Sequence, residues 1–269
     1  MKRQRRFSAI ILATSRFGEI HRSVQLLTEE DEIVRAMAHG ASAPKGKLRG
    51  KADQLTYGVC YLYTEPVKGY SKITDFDPVE FYPGIKGNLE ALYTASSWAE
   101  AVLKSLAGGG QTTEVFGLLK ESLDGLEAEL PAGGRTPGGV GSALLARLYS
   151  IRFLWRYLGI LGVQPDLGEC GSCGRLLGGR EPLFVRPRAG DIACAACATD
   201  YDLLLPAPDA LARLAAAEVG APGDRPLGSV SLTPEDSRQL SGVLYTLLEA
   251  TLGASLETRR SGRSILGMG

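Results

Sequence analysis

At 269 residues, with 44% hydrophobic and 22% charged side chains, the chain is long enough for more than one domain and has an ordinary globular composition. Its 34 Gly and 14 Pro are too few for a collagen-like fibre, and its apolar content excludes wholesale disorder. The 30 Lys+Arg balance 30 Asp+Glu, but residues 1–51 carry 11 basic against five acidic side chains, so the other 218 residues carry a net charge of −6.

A basic Lys2-Arg3-Gln4-Arg5-Arg6 segment precedes the apolar run 7–13. The run is too short for a secretory leader and no cleavage site follows it; no stretch of about 18 apolar residues occurs anywhere. The expected setting is cytoplasmic and nucleoid-associated, without a membrane partner. Short β-prone runs follow at 7–13, 20–28, 33–38, 55–64 and 70–82, separated by turn signals such as Arg16-Phe17-Gly18-Glu19 and by the 40–50 loop. Five strands in about 80 residues predict a small closed barrel. Leu55, Tyr57, Val59, Tyr61 and Tyr63 alternate and therefore share one face, as barrel-wall packing or, alternatively, as a base-stacking surface.

After Pro83-Gly84 the apolar period becomes helical: Leu89, Leu92, Tyr93, Ser96, Ala99 and Leu103 predict a helix that stops at Gly108-Gly109-Gly110. Further helices are expected at about 113–130, 140–162, 208–219 and 234–256, with a Gly/Pro-rich link at 131–141. The third, at 140–162, is apolar enough to be central. The fold class is thus α+β. A barrel domain (1–82) precedes a helical domain in two parts (83–167 and 201–256), interrupted by a cysteine module (168–200) and followed by a mobile basic tail (257–269).

That module holds Cys170-Gly171-Ser172-Cys173 and, after 20 intervening residues, Cys194-Ala195-Ala196-Cys197. Two such pairs match a four-cysteine site for one structural Zn2+, each pair making a turn that offers two thiolates to one tetrahedral ion. Redox dithiols or metal-free core cysteines are the alternative reading. Cys60 reads as a small buried hydrophobe.

Enzymatic signatures are missing. Two histidines, His21 and His39, give no zinc-deaminase or metalloprotease motif and read as strand-end or surface residues. The Gly40 to Leu48 stretch has five residues between its glycines where a phosphate loop needs four, and Leu48 where that loop needs Ser or Thr. No catalytic residue and no small-molecule substrate are expected. The surplus of cations in a small barrel points instead to nucleic acid, with Arg16, Arg22, Arg35, Lys45, Lys47, Arg49 and Lys51 as the phosphate-contacting set and the 40–51 loop as a flexible arm. A zinc-ribbon adaptor, whose barrel binds RNA or another protein, is the competing reading.

Ala9-Ile10-Ile11-Leu12 with Gly18-Glu19, then Leu26-Leu27-Thr28-Glu29 and the basic loop, resemble the bacterial recombination mediator family RecO. So does the 158–167 segment, Leu-Gly-Ile-Leu-Gly-Val-Gln-Pro-Asp-Leu, leading into Cys170. The chain departs from that pattern at Val163, where Tyr is common, and at Asp31-Glu32. The resemblance implies an N-terminal five-stranded OB-fold barrel, a helical domain and a zinc module. It also implies a non-enzymatic protein that binds single- and double-stranded DNA, anneals complementary strands, and works with RecR to load RecA. A groove for the acidic, apolar-ended tail of single-stranded DNA-binding protein is then expected on the third helix, with Arg147, Arg152 and Arg156 beside Phe153 and Trp155.

Overall fold

The computed structural model describes residues 4–30, 33–65, 67, 69–106, 112–130, 141–178, 181–216 and 232–262. The Gly108 to Gly110 stop, the 131–140 part of the link and the 263–269 part of the tail lie outside the described residues.

Five strands, β1 (Gln4–Phe17), β2 (His21–Thr28), β3 (Ile33–Ala38), β4 (Tyr57–Glu65) and β5 (Tyr70–Glu80), close a barrel in the order β1-β2-β3-β5-β4. All neighbours run antiparallel except β3 and β5, which are parallel at Met37 and Lys72. Closure depends on β1, which is twice the expected length. Its first half pairs with β4 (Gln4 to Ile10) and its second half with β2 (Ala9 to Phe17), with an irregularity between Ile11 and Ala13 that bends it from one neighbour to the other. The fourth strand starts two residues later than expected because Leu55 is left-handed (φ 62°), held there by its amide on the Ile11 carbonyl at 2.7 Å. Tyr82, also left-handed (φ 52°), lies beyond the end of β5.

The barrel core is Phe7, Ala9, Ile11, Val24, Leu26, Val34, Ala36, Ala38, Cys60, Leu62, Ile73 and Phe76, plus three residues of the 40–52 loop, Ala41, Leu48 and Ala52. Burial pushes the Cys60 thiol up to about 12, as expected of an inert core cysteine. On β4 the inward row is Gly58, Cys60 and Leu62; Tyr57, Val59, Tyr61 and Tyr63 form the half-buried outer row. The small row faces in because the interior has no room to spare. A Cβ on Gly58 would lie 2.3 Å from the Asp77 carbonyl and 2.8 Å from the Phe76 ring. On the outside, Tyr57 meets Phe116 edge-on at 6.3 Å, while Arg6 and Lys72 lie over the rings of Tyr61 and Tyr63 at 5.9 and 5.2 Å.

The 40–51 loop is not a flexible arm. It winds through successive turns, with Ala43, Gly46, Arg49 and Lys51 amides on the carbonyls of Gly40, Ala43, Gly46 and Leu48, and its apolar side chains plug the barrel. Gly46 makes this winding possible, because a Cβ there would fall 1.8 Å from the Gly40 carbonyl oxygen, a backbone atom with nowhere to go. Gly46→Ala is expected to destabilise the protein by about 1–3 kcal/mol. A denaturant titration showing no change would contradict this reading of the loop.

Helices α1 (Pro83–Gly87), α2 (Leu89–Ser105) and α3 (Thr112–Glu129) follow the barrel; then come α4 (Ser142–Ile160), α5 (Pro208–Ala216), α6 (Pro234–Leu252) and α7 (Glu257–Ser261). By packing, Met1–Pro83 and Ala95–Leu123 form one compact unit, and Gly84–Thr94 and Asp124–Gly269 a second. In the second unit α4 packs on α5 and α6 and is buried along most of its length, from Leu145 to Leu158, so the central helix expected at 140–162 is central. α6 begins at a Thr233 N-cap, whose hydroxyl accepts from the Asp236 amide at 3.0 Å, with Pro234 in its first turn. It ends at Leu252, four residues before the expected end at 256, with left-handed Gly253 as its C-cap. The start of the expected mobile tail is folded: α7 places Arg259 against Glu249 at 2.5 Å, with its guanidinium 5.4 Å from the Tyr245 ring. A three-stranded sheet in the order β7-β6-β8, made of β6 (Leu183–Arg186), β7 (Asp191–Cys194) and β8 (Leu203–Leu205), lies between α4 and α5 in the chain.

Candidate nucleic-acid interface and metal centre

The inward-facing rows of β1 and β2 continue past the apolar core as cations. Arg22 sits two residues before the buried Val24, and Arg16 is its direct cross-strand partner, so two guanidinium groups leave the same face side by side. The plugging loop comes up against them. The result is a cleft of about 480 Å³ lined by Thr14, Ser15, Arg16, Arg22, Ala41, Ser42, Arg49, Gly50 and Asp53. Three of the seven expected phosphate-binding cations, Arg16, Arg22 and Arg49, therefore share one concavity.

The cations differ in how far their charge is already spent. Arg22 is held by Asp53 at 2.5 Å and donates from Nε to the Ser42 hydroxyl at 3.2 Å. Arg49 donates to the Pro44 carbonyl at 2.7 Å, which fixes it without neutralising it. Lys47 and Lys51 reach Asp75 at 2.8 and 3.4 Å. Arg16, Arg35 and Lys45 are exposed, with no ion pair among the described residues. Arg35 lies on β3, outside the cleft lining, and so do the loop residues Lys45, Lys47 and Lys51. The counterions Asp53 and Asp75 were not readable from the sequence; Asp75 is 28 residues from Lys47 in the chain and arrives only through closure of β5 onto the barrel.

The hydrogen bond from Lys47, with further help from the Phe76 amide and Lys51, holds the Asp75 carboxyl below the ordinary carboxylate range. Because the folded value lies below the unfolded one, this pair contributes stability that is complete above the ordinary value of about 3.9 and disappears as the pH falls through the folded value. Melting temperatures of the wild type and Asp75→Asn are expected to differ modestly at pH 7 and to converge below about pH 3. A difference independent of pH would rule this origin out.

The four expected ligand cysteines do converge. The sulfurs of Cys170, Cys173, Cys194 and Cys197 all lie within 4.8 Å of one another, with Cys173 and Cys194 at 4.0 Å. Four thiolates at about 2.3 Å from one tetrahedral ion stand about 3.8 Å apart, so the set fits a metal with little adjustment. Each pair sits on a tight turn: the Gly174 amide (φ 69°) returns to the Cys170 carbonyl, and the Cys197 and Ala198 amides to the Cys194 carbonyl. Amides of Cys194, Cys173 and Ser172 bring the Cys170 thiol down to about 6, while hydrogen bonds to Cys173 and Cys194 push Cys197 up to about 12. Four such close sulfurs cannot all ionise without a cation among them. Arg186 braces the module, gripping Asp191 with two bonds at 2.5 and 2.6 Å and Ser172 with a third. Gly171 leaves space for that carboxylate, 2.3 Å from where a Cβ would stand.

The expected apolar ridge on α4 is core. Phe153 is fully buried and stacks on Tyr157 at 5.3 Å, Trp155 is 8% exposed and Arg152 only 3%. Arg147 and Arg156 are half-buried, and Arg147 donates to the Ala143 and Pro234 carbonyls. The helical period placed Phe153 and Trp155 among apolar positions, but α4 is enclosed on nearly all sides, so no ridge is left facing solvent.

Comparison with known proteins agrees with this architecture. Residues 1–82 match the family of the recombination protein O N terminal, and residues 141–260 that of the recombination protein O C terminal. The chain belongs to the RecO family. A DNA repair protein RecO from Heliobacterium modesticaldum is 30% identical over 244 residues, 89% of this chain and 82% of the relative. The Anaeromyxobacter RecO is 27% identical over 97% of this chain and 96% of its own length. For the Exiguobacterium and Desulfitobacterium hafniense RecO proteins the matched stretch spans 68% and 63% of their length, at 27% identity. The RecO N-terminal match ends where β5 hands over to α1, and the C-terminal match takes in all four cysteines.

Proposed function

We propose that this RecO-family chain is a DNA-binding recombination mediator in DNA repair, working by binding and not by catalysis. The observation that carries the reading is the cleft in which Arg16, Arg22 and Arg49 converge. Guanidinium groups so placed can take successive phosphates of one strand, the exposed Lys45 lies on the same loop as Arg49, and Arg35 adds an exposed cation on β3. Both single- and double-stranded DNA present that backbone. By lowering repulsion between two strands the surface raises their encounter rate, and base pairing then supplies the free energy of annealing. RecR, RecA loading and the tail of single-stranded DNA-binding protein enter through family membership. For the tail, the half-buried Arg147 and Arg156 remain the candidate carboxylate partners, without the Phe153 and Trp155 ridge.

One Zn2+ on Cys170, Cys173, Cys194 and Cys197 completes the module; with four protein ligands it has no open position and holds structure only. A cytoplasmic, nucleoid-associated setting suits both reduced cysteines and a DNA partner.

The test is a titration of fluorescent single-stranded DNA at two salt concentrations, followed by an annealing time course with complementary strands. Binding that weakens with salt, and annealing that is accelerated without ATP or Mg2+, are expected. Absence of oligonucleotide binding at low salt would favour the adaptor reading, in which the barrel binds another protein.

A further inference from the structure

The β1–β2 hairpin ends in side chains that a buried role does not explain. Phe17 is 58% exposed and Ile20 44%, on either side of left-handed Gly18. Phe17 is the direct cross-strand partner of His21, so the two leave the sheet on the same face, opposite to the Arg16 and Arg22 pair one residue away. His21 in turn meets His39, just past the end of β3, with ring centroids 4.9 Å apart and the rings edge to face. Three adjacent strands thus end in three aromatic rings along one row of the outer surface.

The row is anchored. The Gly40 amide donates to His21 Nδ1 at 3.0 Å, which leaves the proton of the neutral ring on Nε2, and the Ser42 amide donates to the Ile20 carbonyl at 2.9 Å. Both bonds tie the hairpin to the loop that carries Lys45, Lys47 and Arg49. Desolvation, with His21 and Lys72 nearby, holds His39 below the ordinary imidazole value. Of the cations, Arg35 lies on the same outward face of β3, while Arg16 and Arg22 leave the other face of the hairpin one residue away.

We propose that Phe17, His21 and His39 form a stacking row for unpaired nucleobases, with Phe17 the principal ring, so that the chain prefers single-stranded to duplex nucleic acid. The inference rests on the nucleic-acid reading above and deepens it. Flat rings on one face of the hairpin, with Arg16 and Arg22 one residue away on the other, suit a strand that crosses the hairpin end, its backbone at the charges and its bases on the rings. A duplex has the same phosphates but keeps its base faces stacked within the helix, so it can use only the charges.

The experiment uses the full chain with a labelled oligothymidine and a random-sequence duplex of equal length at fixed salt. Phe17→Ala is expected to weaken oligothymidine binding by roughly tenfold, the loss of one stacked base, with duplex binding changed less than about twofold and the salt dependence unaltered. Phe17→Trp is expected to retain affinity, and its new indole emission to be quenched by the oligonucleotide, against the background of the buried Trp98 and Trp155. Equal losses on single strand and duplex, no loss on either, or unquenched emission from the introduced indole at saturation would overturn the stacking row while leaving the cleft intact as a phosphate site. Failure of the wild type to bind either oligonucleotide would overturn the nucleic-acid reading and this inference with it.

Discussion

Freshly purified protein is expected to contain one zinc per chain, and stripping it or replacing Cys170 by Ser is expected to unfold the segment from residue 168 to about 205. Around the sulfurs the module has little else to hold it: the cluster there is Cys170, Ala193 and Cys194, with Leu177, Phe184 and Cys197 packed against it, while Leu183, Val185, Ile192 and Leu205 of the sheet are buried as well. Two of the three buried members of that cluster are themselves ligands. Metal binding in such modules is worth on the order of 10 kcal/mol, far more than three small side chains contribute. Hydrogen exchange should show protection lost across β6 and β7 while the barrel strands keep theirs. Zinc well below one per chain, with four thiols alkylated at once in otherwise folded protein, would refute the assignment.

Replacing Arg16 and Arg49 together by Ala is expected to weaken oligonucleotide binding strongly at low salt and to make the dependence of log affinity on log salt shallower by about 1.4, two released counterions at about 0.7 each. These two are chosen because neither has its charge neutralised by an ion pair among the described residues. Arg22 is already bound to Asp53 and supports the cleft, so its removal would mix loss of contact with loss of structure. Lys47 shares Asp75 with Lys51 and should matter less. An unchanged slope in the double variant would move the interface elsewhere.

Much of this architecture was legible in the chain itself, for reasons that differ by region. Two Cys-x-x-Cys pairs state their chemistry locally, and the sulfurs are where the spacing placed them. Strand alternation showed that Tyr57, Val59, Tyr61 and Tyr63 share a face but not which face is inside, because that was decided by the space between Gly58 and Phe76, 18 residues apart. For the same reason the basic loop read as a loose arm: Ala41, Leu48 and Ala52 are too sparse to register as a pattern, yet they fill a cavity built by other strands. On α4 the arginines suggested an exposed side, and only the packing of α5 and α6 shows that Arg152 is enclosed.

The plugging loop divides its labour residue by residue. Leu48 is held in the core between Lys47 and Arg49, which both project outward, and Ala41 and Ala52 secure the two ends. The fold constrains the inward positions far more than the outward residues 45, 47 and 49, whose ties are the Lys47 pair with Asp75 and the Arg49 bond to the Pro44 carbonyl. Grip on a polyanion can therefore be retuned, by exchanging one outward side chain at a time, at no more than the modest cost of an exposed ion pair. A chain with fewer or more lysines at these positions would be a weaker or stronger binder on an unaltered chassis.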